Sequence, residues 1–242
     1  MTKPPLLPEA VLFDWDGTLV DTMSMIYRAN VSALRGYGIE MSREWFRDRY
    51  TPDWRRSYHE LGIPEHLWDE MAGRWAAEMS RMRPRALPWA RGALRRLQAH
   101  GIRLGLVTAS MRGVVEPNFA RLNLAGVFEV AVYSDDVARS KPDPEAFIRA
   151  LDELGVTPSA SIYVGDTPVD LEMTLAAGAS FVAVGTTTPE AVFLAAGADR
   201  LWSGVGAWTD DLLGSQRRHW TNGPPRPAER SERHARGGPD RR

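Results

Sequence analysis

From Gly101 onward the chain alternates short apolar runs with helix-length segments, and few folds accept that alternation. Strands separated in this way pair in parallel, because each connection must cross back over the sheet and does so as a helix. The spacing predicts strands over 103–107, 130–133, 161–164, 180–184 and 200–202, with an earlier buried strand over 10–13. It predicts helices over 113–122, 144–154, 168–177 and 189–196. Pro144, Pro168 and Pro189 stand in the first turn of three of them, where a missing N–H costs nothing. The expected fold class is therefore α/β, a Rossmann-like parallel sheet with helices on both faces.

One stretch interrupts this grammar. Between Thr22 and Met82 the apolar residues Leu67, Met71, Trp75 and Met79 recur at a spacing of four, and Met25, Ile26, Ala29 and Ala33 do so more loosely. Trp68 and Trp75 fall where core packing accounts for them. No strand is predicted there, so residues 22–83 read as an all-helical domain inserted into a core formed by 1–21 and 84–213. Pro84 and Pro88 end the helical pattern, and a further helix over 89–100 is closed by Gly101.

Beyond Gly214 the composition shifts to Arg, Pro, Gly, Ser and Glu, and 214–242 reads as a disordered tail. Its eight Arg are interleaved with Glu229, Glu232, Asp240 and prolines, without stacking aromatics, so no nucleic-acid partner is expected. No apolar run approaches the ~20 residues that a membrane-spanning helix needs, and no membrane partner is expected. The first ten residues hold one Lys and three Pro and lack the pattern of a secretory signal, which gives a cytoplasmic expectation. The residues do not fix an oligomeric state.

The absence of cysteine removes thiol nucleophiles and thiolate metal sites, leaving carboxylates, hydroxyls, His, Lys and Arg for chemistry. Four polar clusters follow predicted strands: Asp14, Asp16 and Thr18; Thr108 and Ser110; Lys141; and Gly165-Asp166-Thr167 with Asp170. In an open parallel sheet these loops share the edge where ligands bind, so four separate segments converge. Each cluster alone is weak, since Asp-Gly makes turns and Ser or Thr caps helices. Lys141 stands out because Lys3 is the only other lysine among 30 basic residues. Asp135 and Asp136 also follow a strand and are assigned to a turn, while His59, His66, His100, His219 and His234 show no ligand spacing.

The segments FDWDGTLVDT, VTAS, SKPDP and VGDTPVD resemble, in this order, the four motifs of the haloacid dehalogenase superfamily. The helical insertion after the first motif is similar to the small cap of its phosphoglycolate phosphatase and β-phosphoglucomutase branch. The resemblance implies phosphoryl transfer from a small phosphorylated metabolite, with Mg2+, through an aspartyl-phosphate. It implies Asp14 as nucleophile and Asp16 as the acid that protonates the leaving oxygen and then activates water. Magnesium prefers oxygen ligands, which suits the Asp14 and Asp166 carboxylates and the main-chain carbonyl of Asp16, with Asp170 beside them. Lys141, Thr108 and Ser110 are the expected phosphate-binding groups, with helix capping an equal reading for Ser110.

Within that branch, a dehalogenase would not need Asp16, and a phosphonoacetaldehyde hydrolase uses a cap lysine that 22–83 lacks. A β-phosphoglucomutase-like mutase is the closest alternative; such mutases carry an early cap His and a cap Lys, where this chain has Ile26 and neither. A catalytically silent binding protein is a third reading, against which the four intact motifs argue. Arg47, Arg49, Arg55 and Arg56 cluster in the cap, where a substrate anion or plain solvation accounts for them equally.

Overall fold

The computed structural model describes residues 7–185, 187–198 and 200–221. In chain order, β1 (Ala10–Phe13) and β2 (Val20–Asp21) lead into four cap helices: α1 (Met23–Arg35), α2 (Arg43–Arg49), α3 (Trp54–Glu60) and α4 (Trp68–Arg81). The chain returns through β3 (Arg85–Ala86) to α5 (Ala90–Ala99), β4 (Arg103–Val107), α6 (Arg112–Val115), β5 (Val130–Val132) and α7 (Glu145–Leu154). It ends with β6 (Ser161–Gly165), α8 (Pro168–Ala176), β7 (Ser180–Val184), α9 (Glu190–Ala195), β8 (Leu201–Trp202) and α10 (Val205–Thr221).

The main sheet has six strands in the order β5-β4-β1-β6-β7-β8, parallel throughout. Strand β1 lies at its centre, between β4 and β6, and every residue of it is fully buried. Its side chains alternate between the two layers, as the period of a strand requires. Val11 and Phe13 face a layer holding Leu94, Leu97 and Trp208, while Leu12 faces Phe147, Leu151, Tyr163 and Met173. A continuous apolar run such as Ala10–Phe13 is what a strand covered on both faces needs.

The two crossings between core and insertion, β2 and β3, pair antiparallel through Val20 with Ala86 and Asp21 with Arg85. This short ribbon, which the apolar pattern does not announce, fixes where the cap stands over the carboxyl edge of the sheet. The cap has its own core, centred on Met25, Ile26, Leu34, Phe46, Tyr58 and Met71.

Two helices differ from expectation. The helix predicted over 113–122 stops at Val115 and passes into a 3-10 turn at Glu116–Asn118. Pro117 accounts for this, since it offers no N–H to the ladder and its ring crowds the preceding turn. Helix α10 is not predicted at all, because Gly204, Gly206 and Gly214 obscure its periodicity. It nevertheless buries Trp208 against Phe13, ring centroids 6.4 Å apart at 71°. It also runs past the expected tail boundary at 214 as far as Thr221, since the next helix-breaking residues are Gly223 and Pro224. The remainder of that tail, 222–242, lies outside the described residues.

Candidate active site

Asp14 follows the last residue of β1, and its N–H still joins the ladder, donating to Val164 O at 2.9 Å. The carboxylate is thereby carried on the stiffest strand of the sheet. Gly17 turns the chain back at φ +74°, and a Cβ there would collide with the Asp166 carboxylate, so the turn needs glycine twice over. Thr18 Oγ1 then donates to Asp166 Oδ1 at 3.0 Å, stitching the first motif to the end of β6. Asp166 is fully buried.

At the start of α8, Thr167 caps the helix reciprocally with Asp170: Thr167 Oγ1 and N–H both donate to Asp170 Oδ2, at 2.7 and 3.2 Å. A Cβ at Gly165 would stand 2.7 Å from Asp170, so this glycine lets β6 approach the carboxylate. Asp170 Oδ1 remains to accept from Lys141 Nζ at 2.9 Å.

Lys141 is 3% exposed and joined to Pro142 by a cis peptide bond. Its ammonium donates three ways, to Asp14 Oδ1 at 2.8 Å, Asp170 Oδ1 at 2.9 Å and Tyr163 Oη at 2.6 Å. Three donors meeting three acceptors suit an ammonium and not a planar guanidinium. Burial opposes its charge, but Asp14 and Asp170 outweigh burial and hold its pKa above the ordinary lysine value. Tyr163 passes the chain on, donating its hydroxyl to Val107 O at 2.7 Å. The motif reading did not single out Tyr163, which lies on a strand where an aromatic reads as core; only the register of β6 beside β1 reveals its second use.

Burial pushes the Asp14 carboxyl up to about 7, with Lys141 opposing and Asp170 and Asp16 adding to the rise. Asp166 is pushed well above the carboxylate range by burial and by the charges of Asp14 and Asp170. Three buried carboxyls thus crowd a single ammonium, Lys141, which bonds two of them directly. Carboxylate oxygens of Asp14, Asp166 and Asp170 lie within 4.8 Å of one another, and among the described residues no His or Cys joins the group. Such a hard-oxygen set can hold a divalent cation, and its chemistry fits magnesium.

Asp16 points elsewhere. Its Oδ2 accepts from Ser110 Oγ at 2.6 Å, while Oδ1 is buried without a hydrogen-bond partner. Burial raises its pKa, against the lowering effect of the Ser110 hydrogen bond. Ser110 was expected to bind phosphate or to cap a helix. Its hydroxyl is instead committed to Asp16, and the residue preceding α6 is Met111. Thr108 is buried, and its Oγ1 accepts the Ser110 N–H at 3.0 Å.

Asp136 pairs with Arg112 at 2.8 Å and accepts the Tyr133 N–H at 3.0 Å, so the Asp135-Asp136 pair belongs to a turn. The cap arginines are all exposed. Arg47 pairs with Asp48, Arg56 with Glu60, and Arg55 and Arg49 stack on the rings of Trp54 and Trp45. None of them lines the cleft of about 870 Å³, open mouth included, that separates cap from core above Asp14 and Asp16. Ile26 and Trp75 do line it, so Trp75 serves as cleft wall as well as cap packing.

Carboxylates gathered at the carboxyl edge of a doubly wound sheet, under a helical lid inserted after the first strand, mark a class of α/β hydrolases. A family model described as haloacid dehalogenase-like hydrolase matches residues 11–184, and the chain belongs to that family. It is 31% identical to pyrophosphatase PpaX of Bacillus velezensis, over 77% of this chain and 88% of that protein. It is 28% identical to a phosphoglycolate phosphatase of Pseudomonas putida, over 74% of this chain and 70% of that protein. A haloacid dehalogenase-like hydrolase from Bacteroides fragilis superposes with a TM-score of 0.77 at 27% identity, covering 82% of this chain and 98% of that one. Among the described residues no helix is long and apolar enough to cross a membrane.

Proposed function

We propose that this hydrolase is a magnesium-dependent phosphomonoesterase that works on a small phosphorylated metabolite through an aspartyl-phosphate on Asp14. The observation that carries the reading is the three-way grip of Lys141, which holds Asp14 beside Asp170 and Tyr163 while Ser110 holds Asp16 separately. The phosphatase named among its relatives supports the same reading.

Magnesium, held by Asp14, Asp166 and the main-chain carbonyl of Asp16 with Asp170 beside them, would supply the positive charge that lets a carboxylate approach an anionic ester. Asp14 attacks phosphorus: a bond forms from its carboxylate oxygen as the bond to the ester oxygen breaks, and Asp16 gives that departing oxygen its proton. Asp16 then takes a proton from water as the water oxygen attacks the phosphorus, which frees Asp14 and releases inorganic phosphate. Burial raises the Asp16 carboxyl, the direction that favours a group giving a proton in the first step and taking one back in the second. Lys141 balances charge on the phosphoryl oxygens, and Thr108, whose hydroxyl oxygen already accepts from Ser110, keeps its own O–H for a phosphoryl oxygen. Ser110 orients Asp16.

On this reading residues 1–21 and 84–213 perform the chemistry and 22–83 choose the alcohol. Ile26 in the cleft, where a mutase would carry a proton-transferring His, favours hydrolysis over mutase chemistry. The test is release of phosphate from a generic aryl phosphate with and without magnesium. Activity that needs the metal and vanishes in Asp14→Asn supports the proposal, and inactivity under both conditions overturns it.

A further inference from the structure

The wall of the cleft is unlike its floor. From the cap it is lined by Trp45, Phe46, Tyr50, Trp54, Tyr58 and Trp75, and no cap residue lining it is Lys, Arg, His, Asp or Glu. Tyr50 lines the cleft together with Asp14 and Asp16, and burial with the carboxylates of Asp16, Asp166, Asp14 and Asp170 pushes its phenol well above the ordinary tyrosine value. Any ester whose phosphorus reaches Asp14 must therefore thread its alcohol half past aromatic faces.

A carboxylate or second phosphate on that alcohol would be stripped of water against this wall with no cation to receive it, which is costly. The cap arginines offer none, because they are exposed and line none of the cleft. A polyol would find only Asn30, Thr51, Ser57 and the tyrosine hydroxyls on the cap side, too few for its hydroxyls. Conversely, Trp45, Tyr50, Trp54 and Trp75 are only partly buried, so the cap leaves aromatic surface uncovered in the cleft above Asp14. A flat apolar group covers such surface and gains from it.

We infer that the substrates of this site are phosphate monoesters whose alcohol half is an uncharged, ring-bearing apolar group with no second anion. The inference rests on the phosphatase reading above and narrows its substrate class away from phosphoglycolate and from bisphosphates. Asn30 and Ser57 leave room for a single polar substituent on the ring-bearing group.

The test compares three alkyl esters with the full-length protein and magnesium: phenylethyl phosphate, ethyl phosphate and phosphoglycolate. Phenylethyl and ethyl phosphate share similar leaving alcohols, so their ratio reads contact with the wall and not bond strength. The expected result is a kcat/KM for phenylethyl phosphate about tenfold or more above either of the others. Equal or better turnover of ethyl phosphate or phosphoglycolate overturns the inference. Ala72→Arg, which places a cation on the wall from α4, should narrow the gap between phenylethyl phosphate and phosphoglycolate; an unchanged ratio counts against the assignment. p-Nitrophenyl phosphate, whose leaving group departs unaided, separates the two levels. If it is hydrolysed while the ring ester has no advantage, only the substrate class fails. If it too is inert, the phosphatase reading fails and this inference with it.

Discussion

At the floor of the cleft, Lys141, Asp14, Tyr163, Asp170 and Asp166 are held by hydrogen bonds that cross from one motif to another, whereas the wall above them is held by rings against rings. Phe46 packs on Tyr50 with centroids 5.2 Å apart, and Trp54 on Tyr58 at 5.2 Å and on Trp68 at 6.0 Å. Hydrogen bonds between buried charges are directional, and losing one partner leaves the other unpaired. Apolar contacts are neither directional nor exclusive, and a wall built of them tolerates exchange of volume for volume. The contrast teaches why one chemistry can serve many substrates: the floor admits almost no substitution, and the wall can be repacked without disturbing it.

The floor should break most completely at Asp14, the proposed nucleophile. Asp14→Asn is expected to lower kcat by about 10⁴-fold or more on every ester, with no phosphorylated protein detectable by mass spectrometry. Asp16→Asn should behave differently, because it removes only the proton relay. Turnover of alkyl esters should collapse, while p-nitrophenyl phosphate still gives a burst of p-nitrophenol and a phosphate retained on Asp14. A burst from Asp14→Asn, or parental alkyl turnover by Asp16→Asn, would reverse the two assignments. Exhaustive chelation should likewise silence the protein until magnesium is restored, and undiminished turnover after chelation would remove the metal from the floor.

Next in size is Lys141→Arg, which keeps the charge and loses the three-way geometry; kcat should fall by about 10²-fold or more. Near-normal kcat/KM would mean that charge alone matters at this position. Tyr163→Phe sharpens the point, since Phe fills the same volume and deletes only the hydroxyl between Lys141 and Val107 O. About 1–2 kcal/mol of stability should be lost in denaturant titration. If Tyr163 also positions Lys141, kcat should fall by about tenfold with KM little changed; a loss of stability alone would leave Tyr163 a packing residue. At the small end, Arg47→Ala on the outer cap surface, where its exposed partner is Asp48, should leave kcat/KM unchanged for all three alkyl esters. A drop confined to phosphoglycolate would bring the cap arginines back into substrate binding.

Much of the floor was legible in the amino-acid order. Asp14, Lys141, Asp166 and Asp170 each follow a strand that its apolar run announces, and in a parallel sheet all strand ends meet at one edge, so local pattern and topology suffice to bring them together. The glycine at 165 belongs to the same short-range logic, since it admits the Asp170 carboxylate of the same motif, whereas the glycine at 17 admits Asp166 from a distant one. The bond of Ser110 to Asp16 is not legible in the same way: its spacing from Thr108 is local, but that bond spans 94 residues. Tyr163 and α10 were hidden for a related reason, because their roles depend on which strand or helix lies beside them and not on their own periodicity. The same holds with more force for the cap. Sequence alone determined that 22–83 is helical and that it carries both aromatics and a cluster of arginines. Only the tertiary structure decided which of the two faces the cleft, because the rotation of four short helices about their axes is set by mutual packing. A shift of one position in register would exchange Trp54 for Arg55 on the wall.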